Sequence, residues 1–419
     1  MKSAEHCDGY SSWLSRRSLL RAGALGAVSW MGMRSALADI TVRKQTKNRD
    51  TLVIVFLRGG ADGLNIVVPY ADDNYHKARP SLRMSPPNSG PIGDRVLDLD
   101  GHFGFHPAMA PLLPLFKEGK LGLVHAVGSQ DHTRSHFEAM SAMERGLERM
   151  GPGVQNGWLA RYLAATDGNS PMRAVSIADV LPDSLKGGPN ALNIREVAEF
   201  RLDGDQEFRE AITSEYALAQ DEMGRAGRTT LDVLKTLEKL DFQAYQSQGQ
   251  TQYPDLELGR GMKQAAFLIK ADIGLEIACL EMTGWDSHVA QGGSTGIHQR
   301  QQDDLARSLR AFSDDMGDRM KETTVIVMTE FGRRVYENQS LGTDHGRGSI
   351  LFALGGNVKG GKIHGKFMGL DKANLEGDDV KVTTDYRAIL AEALQKRMGF
   401  GETEKVFSQA NLNPIGLFV

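Results

Sequence analysis

The chain has 419 residues, of which 49 are Lys or Arg and 53 are Asp or Glu, for a formal net charge of −4. A near-balanced charge with no basic tract or aromatic-basic patch argues against a nucleic-acid partner, and this length suits one large α/β domain with insertions or two domains. The only cysteines are Cys7 and Cys279, and Cys279 sits in an apolar run that suits a buried small hydrophobe better than a reactive thiol.

At the N-terminus, Ser15-Arg16-Arg17-Ser18-Leu19-Leu20 places paired arginines ahead of a mostly apolar stretch to Met33, and Ala36-Leu37-Ala38 supplies the small residues of a cleavage site. Residues 1–38 are expected to be a twin-arginine export signal, with the twin-arginine translocase as a partner and a periplasmic or secreted destination. The stretch contains Arg21 and several glycines and is short for a hydrocarbon span, so no stable membrane span is expected after cleavage. Cys7 leaves with the signal, which makes an internal disulfide impossible in residues 39–419.

Thr51 to Leu57 is a continuous apolar run broken by Arg58-Gly59-Gly60-Ala61-Asp62-Gly63, the pattern of a central parallel strand ending in a glycine-rich turn. In that turn Asp62 can approach a cation closely, because its neighbours lack bulk. Pro86 to Pro91 is expected to be a loop. Helical spacing over Pro107 to Glu118 precedes a strand at Leu121 to Val127.

Gln130-Asp131-His132-Thr133-Arg134-Ser135-His136-Phe137-Glu138 follows, and a helical pattern runs over Ser135 to Leu147. Helix N-termini attract anions, so Thr133 or Ser135 is a candidate nucleophile and Arg134 a candidate clamp for a tetrahedral anion. Ser135 and Glu138 also fit a capping box, which competes with the nucleophile role for Ser135.

Ala174 to Ile177 reads as a further strand. Asp203 to Tyr245 is polar, charge-rich and helically periodic with no strand, so a helical insertion is expected at about 203–245. Gln246 to Gln252 is a low-complexity connector. An apolar run from Ile273 to Met282 leads to Gly284-Trp285-Asp286-Ser287-His288, where Asp286 and His288 share a face if the chain remains extended.

His298 to Met320 has an amphipathic helical pattern, and Val325 to Met328 and Ile350 to Leu354 complete a sheet. Asp344-His345-Gly346 follows the strand that ends at Glu330, and flanking glycines give the two side chains freedom to converge. His364 is the remaining candidate imidazole. The alternation predicts an α/β fold, a doubly wound and mostly parallel sheet covered by helices on both faces, with its site beyond the carboxyl ends of the strands. Carboxylates mixed with imidazoles suit Zn, Mn or Fe, or Mg at one position, and two neighbouring metals would serve phosphoryl or sulfuryl transfer.

Phe56-Leu57-Arg58-Gly59-Gly60-Ala61-Asp62-Gly63-Leu64-Asn65, Ser135-His136-Phe137-Glu138, Asn156-Gly157-Trp158-Leu159, Gly284-Trp285-Asp286-Ser287-His288, Thr329-Glu330-Phe331-Gly332-Arg333 and Gly342-Thr343-Asp344-His345-Gly346 resemble the exported "domain of unknown function 1501" proteins. That family is in turn similar to the alkaline phosphatase and sulfatase superfamily, with its doubly wound sheet, two-metal site and Ser, Thr or modified Cys nucleophile. The resemblance implies that Asp62, Asp344 and His345 serve one metal and that Asp286, His288 and His364 complete the other. It further implies Thr133 or Ser135 as nucleophile with Arg134 beside it, acting on a small-molecule or polysaccharide ester. Glu330 stands where those enzymes place an Asp-His pair, either as a ligand or orienting Arg333 or Arg334. A non-catalytic envelope binding protein that keeps this fold is the competing expectation.

Overall fold

The computed structural model describes residues 50–151, 153–168, 170–408 and 412–419. The expected export signal therefore lies outside the described residues. Among these, no helix is long and apolar enough to cross a membrane.

The strands, in chain order, are β1 (Thr51–Leu57), β2 (Val67–Val68), β3 (Leu97–Asp98), β4 (Gly104–Phe105), β5 (Leu121–Gly128), β6 (Ala174–Ile177), β7 (Ala191–Asn193), β8 (Ile277–Met282), β9 (Thr323–Thr329), β10 (Arg333–Glu337), β11 (Thr343–His345), β12 (Ser349–Gly355), β13 (Ile363–His364) and β14 (Thr384–Asp385). Nine of them form one sheet in the order β13-β5-β12-β9-β1-β8-β6-β7, with β14 also on β5. β1 lies parallel to both β8 and β9 at its centre, and every residue of β1 is buried. That is why the run Thr51 to Leu57 is uniformly apolar rather than alternating.

Successive β1 residues feed opposite layers. Val53, Val55 and Leu57 pack with Leu258, Met262, Leu305 and Phe312, which belong to helices at Glu257–Lys270 and Ile297–Met316. Leu52, Ile54 and Phe56 pack with Trp158, Tyr162, Ile389 and Leu394, from helices at Trp158–Ala164 and Tyr386–Lys396. The protein is thus the expected α/β fold, a mostly parallel sheet between two helical layers. Within this mostly parallel sheet β12 runs antiparallel to both β5 and β9. The β10–β11 hairpin lies between β9 and β12 in the chain, so β12 enters the sheet after a reversal rather than a helical crossover.

The polar segment from Asp203 to Tyr245 contains two helices, Gln206–Leu218 and Glu222–Glu238, capped by Asp205 and Asp221. The connector that follows is fastened to the body through Asp315. This buried carboxylate accepts hydrogen bonds from Tyr245 Oη and Tyr253 Oη at 2.7 Å each and from the Gln248 amide at 2.7 Å.

Candidate metal centre

The carboxyl ends of β1, β8 and β9 open onto three loops that a single guanidinium joins. Arg333 is fully buried at the start of β10. It donates to the carbonyls of Gly59, Gly60, Trp285 and Thr343 and, through Nη2, to Asp286 Oδ1 at 2.6 Å. Gly59 adopts φ of +118°, and a Cβ there would stand 2.5 Å from the Asp286 amide nitrogen. Only glycine lets the β1 turn approach the β8 loop this closely.

Around Asp286 three imidazoles converge. His136 opens the helix His136–Glu144, which Ser135 caps by accepting from the Glu138 amide. His345 ends β11, and His288 follows Asp286 by two residues. From Asp286 Oδ1 the distances are 3.3 Å to His136 Nε2, 3.0 Å to His288 Nε2 and 3.2 Å to His345 Nε2. His345 Nε2 lies 2.9 Å from His136 Nε2 and 2.8 Å from His288 Nε2. Phe331 packs its ring against His136 and His345, with centroids 4.8 and 5.1 Å away.

The other nitrogen of each ring fixes its tautomer. His136 Nδ1 is 2.7 Å from Glu330 Oε1, His288 Nδ1 is 3.1 Å from Asp344 Oδ1, and His345 Nδ1 is 2.7 Å from the Arg134 carbonyl. Each of these partners accepts only, so each Nδ1 carries the proton, and a ring in its neutral form would turn its Nε2 lone pair toward Asp286. The three Nε2 atoms all lie within 3.3 Å of Asp286 Oδ1, which also accepts from Arg333. Carboxylate or carbonyl groups behind the ligating imidazoles are also what metal sites use to orient them. His136, Asp286 and His345 offer donor atoms that all lie within 4.8 Å of one another. The sides of that triangle match the separation of about 3.3 Å between neighbouring ligands around a tetrahedral ion with bonds of about 2.0 Å. The donor set therefore fits a divalent transition metal.

The same contacts set the charges within the cluster. Desolvation pushes the Asp286 carboxyl up, but the Arg333 guanidinium and the adjacent imidazoles outweigh it and hold the pKa at about 2. The hydrogen bond from His136 to Glu330 raises His136 above its ordinary value against its partial burial. Desolvation lowers His345, with the Arg134 carbonyl acting the other way. Asn338, which donates to Asp344 Oδ1 at 3.1 Å, lowers Asp344, with His288 adding to the effect.

Several residues singled out from sequence lie elsewhere or act differently. Asp62 is fully buried, and Arg79 holds it through Nη1 at 2.6 Å and Nη2 at 2.9 Å, with Gln291 Nε2 at 2.7 Å. Desolvation would raise Asp62, yet Arg79 keeps it below the usual carboxylate range, so its oxygens serve a buried ion pair and not the imidazole cluster. His364 lies on β13 at the sheet edge, its Nε2 2.7 Å from the Lys359 carbonyl, outside the cluster. Asp344 stands behind His288 instead of beside His345. Arg134 pairs Nη2 with the buried Asp379 at 2.6 Å and donates Nη1 to the His345 carbonyl, so its guanidinium braces the centre and is not presented as an anion clamp. Ser135 serves as helix cap. Thr133 donates its hydroxyl proton to Glu138 Oε2 at 2.7 Å, and it shares the lining of a small pocket with Glu330, Phe331, Gly346 and Arg347. Glu330, buried, orients His136 rather than either arginine.

His136 was absent from the expected ligand set. Its signal was available, because it begins a helix directly after β5, at the sheet end where Asp286 and His345 were already expected.

The structure is similar to several solved ones. The C-terminal periplasmic domain of EcEptC from Escherichia coli, solved in complex with Zn, is 9% identical, with 77% of each chain covered and a TM-score of 0.33. The alkaline phosphatase from the Antarctic bacterium TAB5 is 13% identical over 75% of this chain and 93% of that one, with a TM-score of 0.31. A mutant of the alkaline phosphatase PafA is 10% identical over 69% of this chain and 64% of that one, with a TM-score of 0.26. No curated protein matches the sequence. A family model described as "Protein of unknown function (DUF1501)" matches residues 49–408.

Proposed function

The chain belongs to the DUF1501 family, and we propose that it is an exported metal-dependent hydrolase of phosphate or sulfate esters. The observation that carries the proposal is the convergence of three imidazoles and one carboxylate, His136, His288, His345 and Asp286, on a single point. The proposed complement is one divalent ion held by His136, Asp286 and His345 with His288 beside it, instead of the two ions expected from sequence, because Asp62 and His364 are engaged elsewhere. A bound cation supplies charge stabilisation for an anionic ester. Among the chain's own residues, Thr133 is the proposed nucleophile, since Glu138 already accepts its hydroxyl proton. Export through the twin-arginine route to the periplasm or beyond belongs to the same proposal and rests on residues 1–38.

One observation favours a second reading, a non-catalytic envelope protein with a structural metal. Arg134, the expected clamp, is committed to Asp379 and to the His345 carbonyl. Elemental analysis of residues 39–419 together with hydrolysis of p-nitrophenyl phosphate and sulfate separates the two readings, with wild type compared against Asp286→Ala. Bound metal and turnover that are both lost in the variant support the hydrolase. Bound metal without turnover of any ester leaves the second reading, and a folded metal-free protein refutes both.

A further inference from the structure

Beside the imidazole cluster, two segments expose apolar side chains while bent into conformations that non-glycine residues avoid. Val289 follows His288 and is 64% exposed, and Leu341, three residues before Asp344, is 53% exposed. The two segments are neighbours: the Ala290 amide donates to the Ser340 carbonyl and the Gln291 amide to the Leu341 carbonyl, each at 2.9 Å. Leu341 has φ of +58° and Ala290 has φ of +47°. The left-handed region costs a branched residue about 1–2 kcal/mol, and an exposed leucine recovers none of that by burial. Strain kept without packing in its favour is a mark of a functional constraint.

What holds this turn in place is the site itself. Asn338 Nδ2 donates to the His288 carbonyl at 3.0 Å and to Asp344 Oδ1 at 3.1 Å, while its Oδ1 accepts from the Ser340 and Gly342 amides. A Cβ at Gly342 would stand 2.3 Å from the His288 carbonyl carbon, so the turn is pressed against the loop that carries His288. The Asn338 turn and the His288 segment therefore form one unit, which presents Val289 and Leu341 on the segments that adjoin His288. On the helix that carries His136, the next residue, Phe137, is 84% exposed.

We infer that Val289 and Leu341 form an apolar contact for the non-anionic part of the substrate, with Phe137 adding to it, so that the preferred esters carry an aryl or alkyl group and not a polyol. This inference rests on the hydrolase reading and narrows its substrate class. An apolar group lying against two half-exposed aliphatic side chains gains by removing their surface from water, and one such contact typically changes discrimination about tenfold.

The test compares the phosphate esters of 1-naphthol and of glycerol, or the sulfate esters if those are the ones turned over, on wild type, Leu341→Asn and the double variant with Val289→Ser. Asparagine tolerates the left-handed conformation, which separates contact from scaffold. The ratio of kcat/KM for naphthyl over glyceryl ester is expected to fall about tenfold in the double variant, carried mainly by KM, with the thermal midpoint of Leu341→Asn at or above that of wild type. An unchanged ratio overturns the inference, as does a fall in the ratio accompanied by a lower midpoint in Leu341→Asn, which would make the leucine structural. Turnover with an unchanged ratio leaves the hydrolase reading standing, whereas metal-loaded protein that turns over neither ester refutes both.

Discussion

His136 can serve a cation only in the neutral form whose proton sits on Nδ1, and Glu330 is the group that selects that form. Its carboxylate is 1% exposed and also accepts from the Gly59 amide at 2.8 Å and from Thr329 Oγ1 at 3.0 Å, so it cannot swing away. Glu330→Gln keeps the shape and can keep one oxygen toward His136 Nδ1, but removes the charge. Partners of this kind behind a ligating imidazole are worth tenfold to hundredfold in metal affinity, or about 1.4–2.7 kcal/mol. The isosteric change belongs at the low end, about tenfold. The assay is titration of metal-free protein with Zn²⁺ and Mn²⁺ against a competing chelator, with circular dichroism confirming the fold. A second readout is the His136 titration followed by NMR. In wild type its folded pKa is raised, chiefly by the Glu330 hydrogen bond, so this stabilisation of metal-free protein is present below the ordinary histidine value and lost as pH rises through the folded one. In Glu330→Gln the midpoint should drop toward or below the ordinary value of about 6.5. Unchanged affinity together with an unchanged titration would refute the tautomer argument.

Asp62→Asn should destabilise the fold by about 3–5 kcal/mol, because it strands the buried Arg79 guanidinium. Denaturant unfolding gives that value, and the folded fraction should retain its metal, which a direct ligand role would forbid. In metal-free protein, Asp286→Asn should lie below wild type in thermal midpoint near neutral pH. A carboxyl held at about 2 stabilises above its unfolded value and loses that contribution as pH falls from about 4 to about 2, so the gap between the two proteins should close across that window. Ser135→Ala should cost about 1 kcal/mol through loss of the helix cap while turnover persists. Thr133→Ala should retain metal and lose turnover at least a hundredfold; retained turnover would remove Thr133 as the nucleophile.

The strands and the layers they separate were readable because burial on both faces leaves an uninterrupted apolar run, as in Thr51 to Leu57. The antiparallel course of β12 was not, since Ile350 to Leu354 is as apolar as its parallel neighbours and direction is set by the hairpin before it. Asp286, His288 and His345 were singled out from their place after strands, and the structure brings the three together. Asp62 shows the limit of that reasoning, because its fate depends on Arg79, whose guanidinium arrives from a separate turn and leaves no periodic trace. The division of labour between Asp344 and Glu330 was equally hidden: whether a carboxylate touches a cation or stands one ring behind it is decided by ångström-scale placement that residue type does not encode.

The three principal donor residues come from the helix after β5, the loop after β8 and the second strand of a hairpin after β9. No contiguous βαβ unit carries even two of them, so the centre comes into being only when the middle of the sheet has closed. The proposed ion would accordingly be missing from fragments that separate these elements and from trapped species whose sheet has not closed, and chelator competition would sort them from completed molecules.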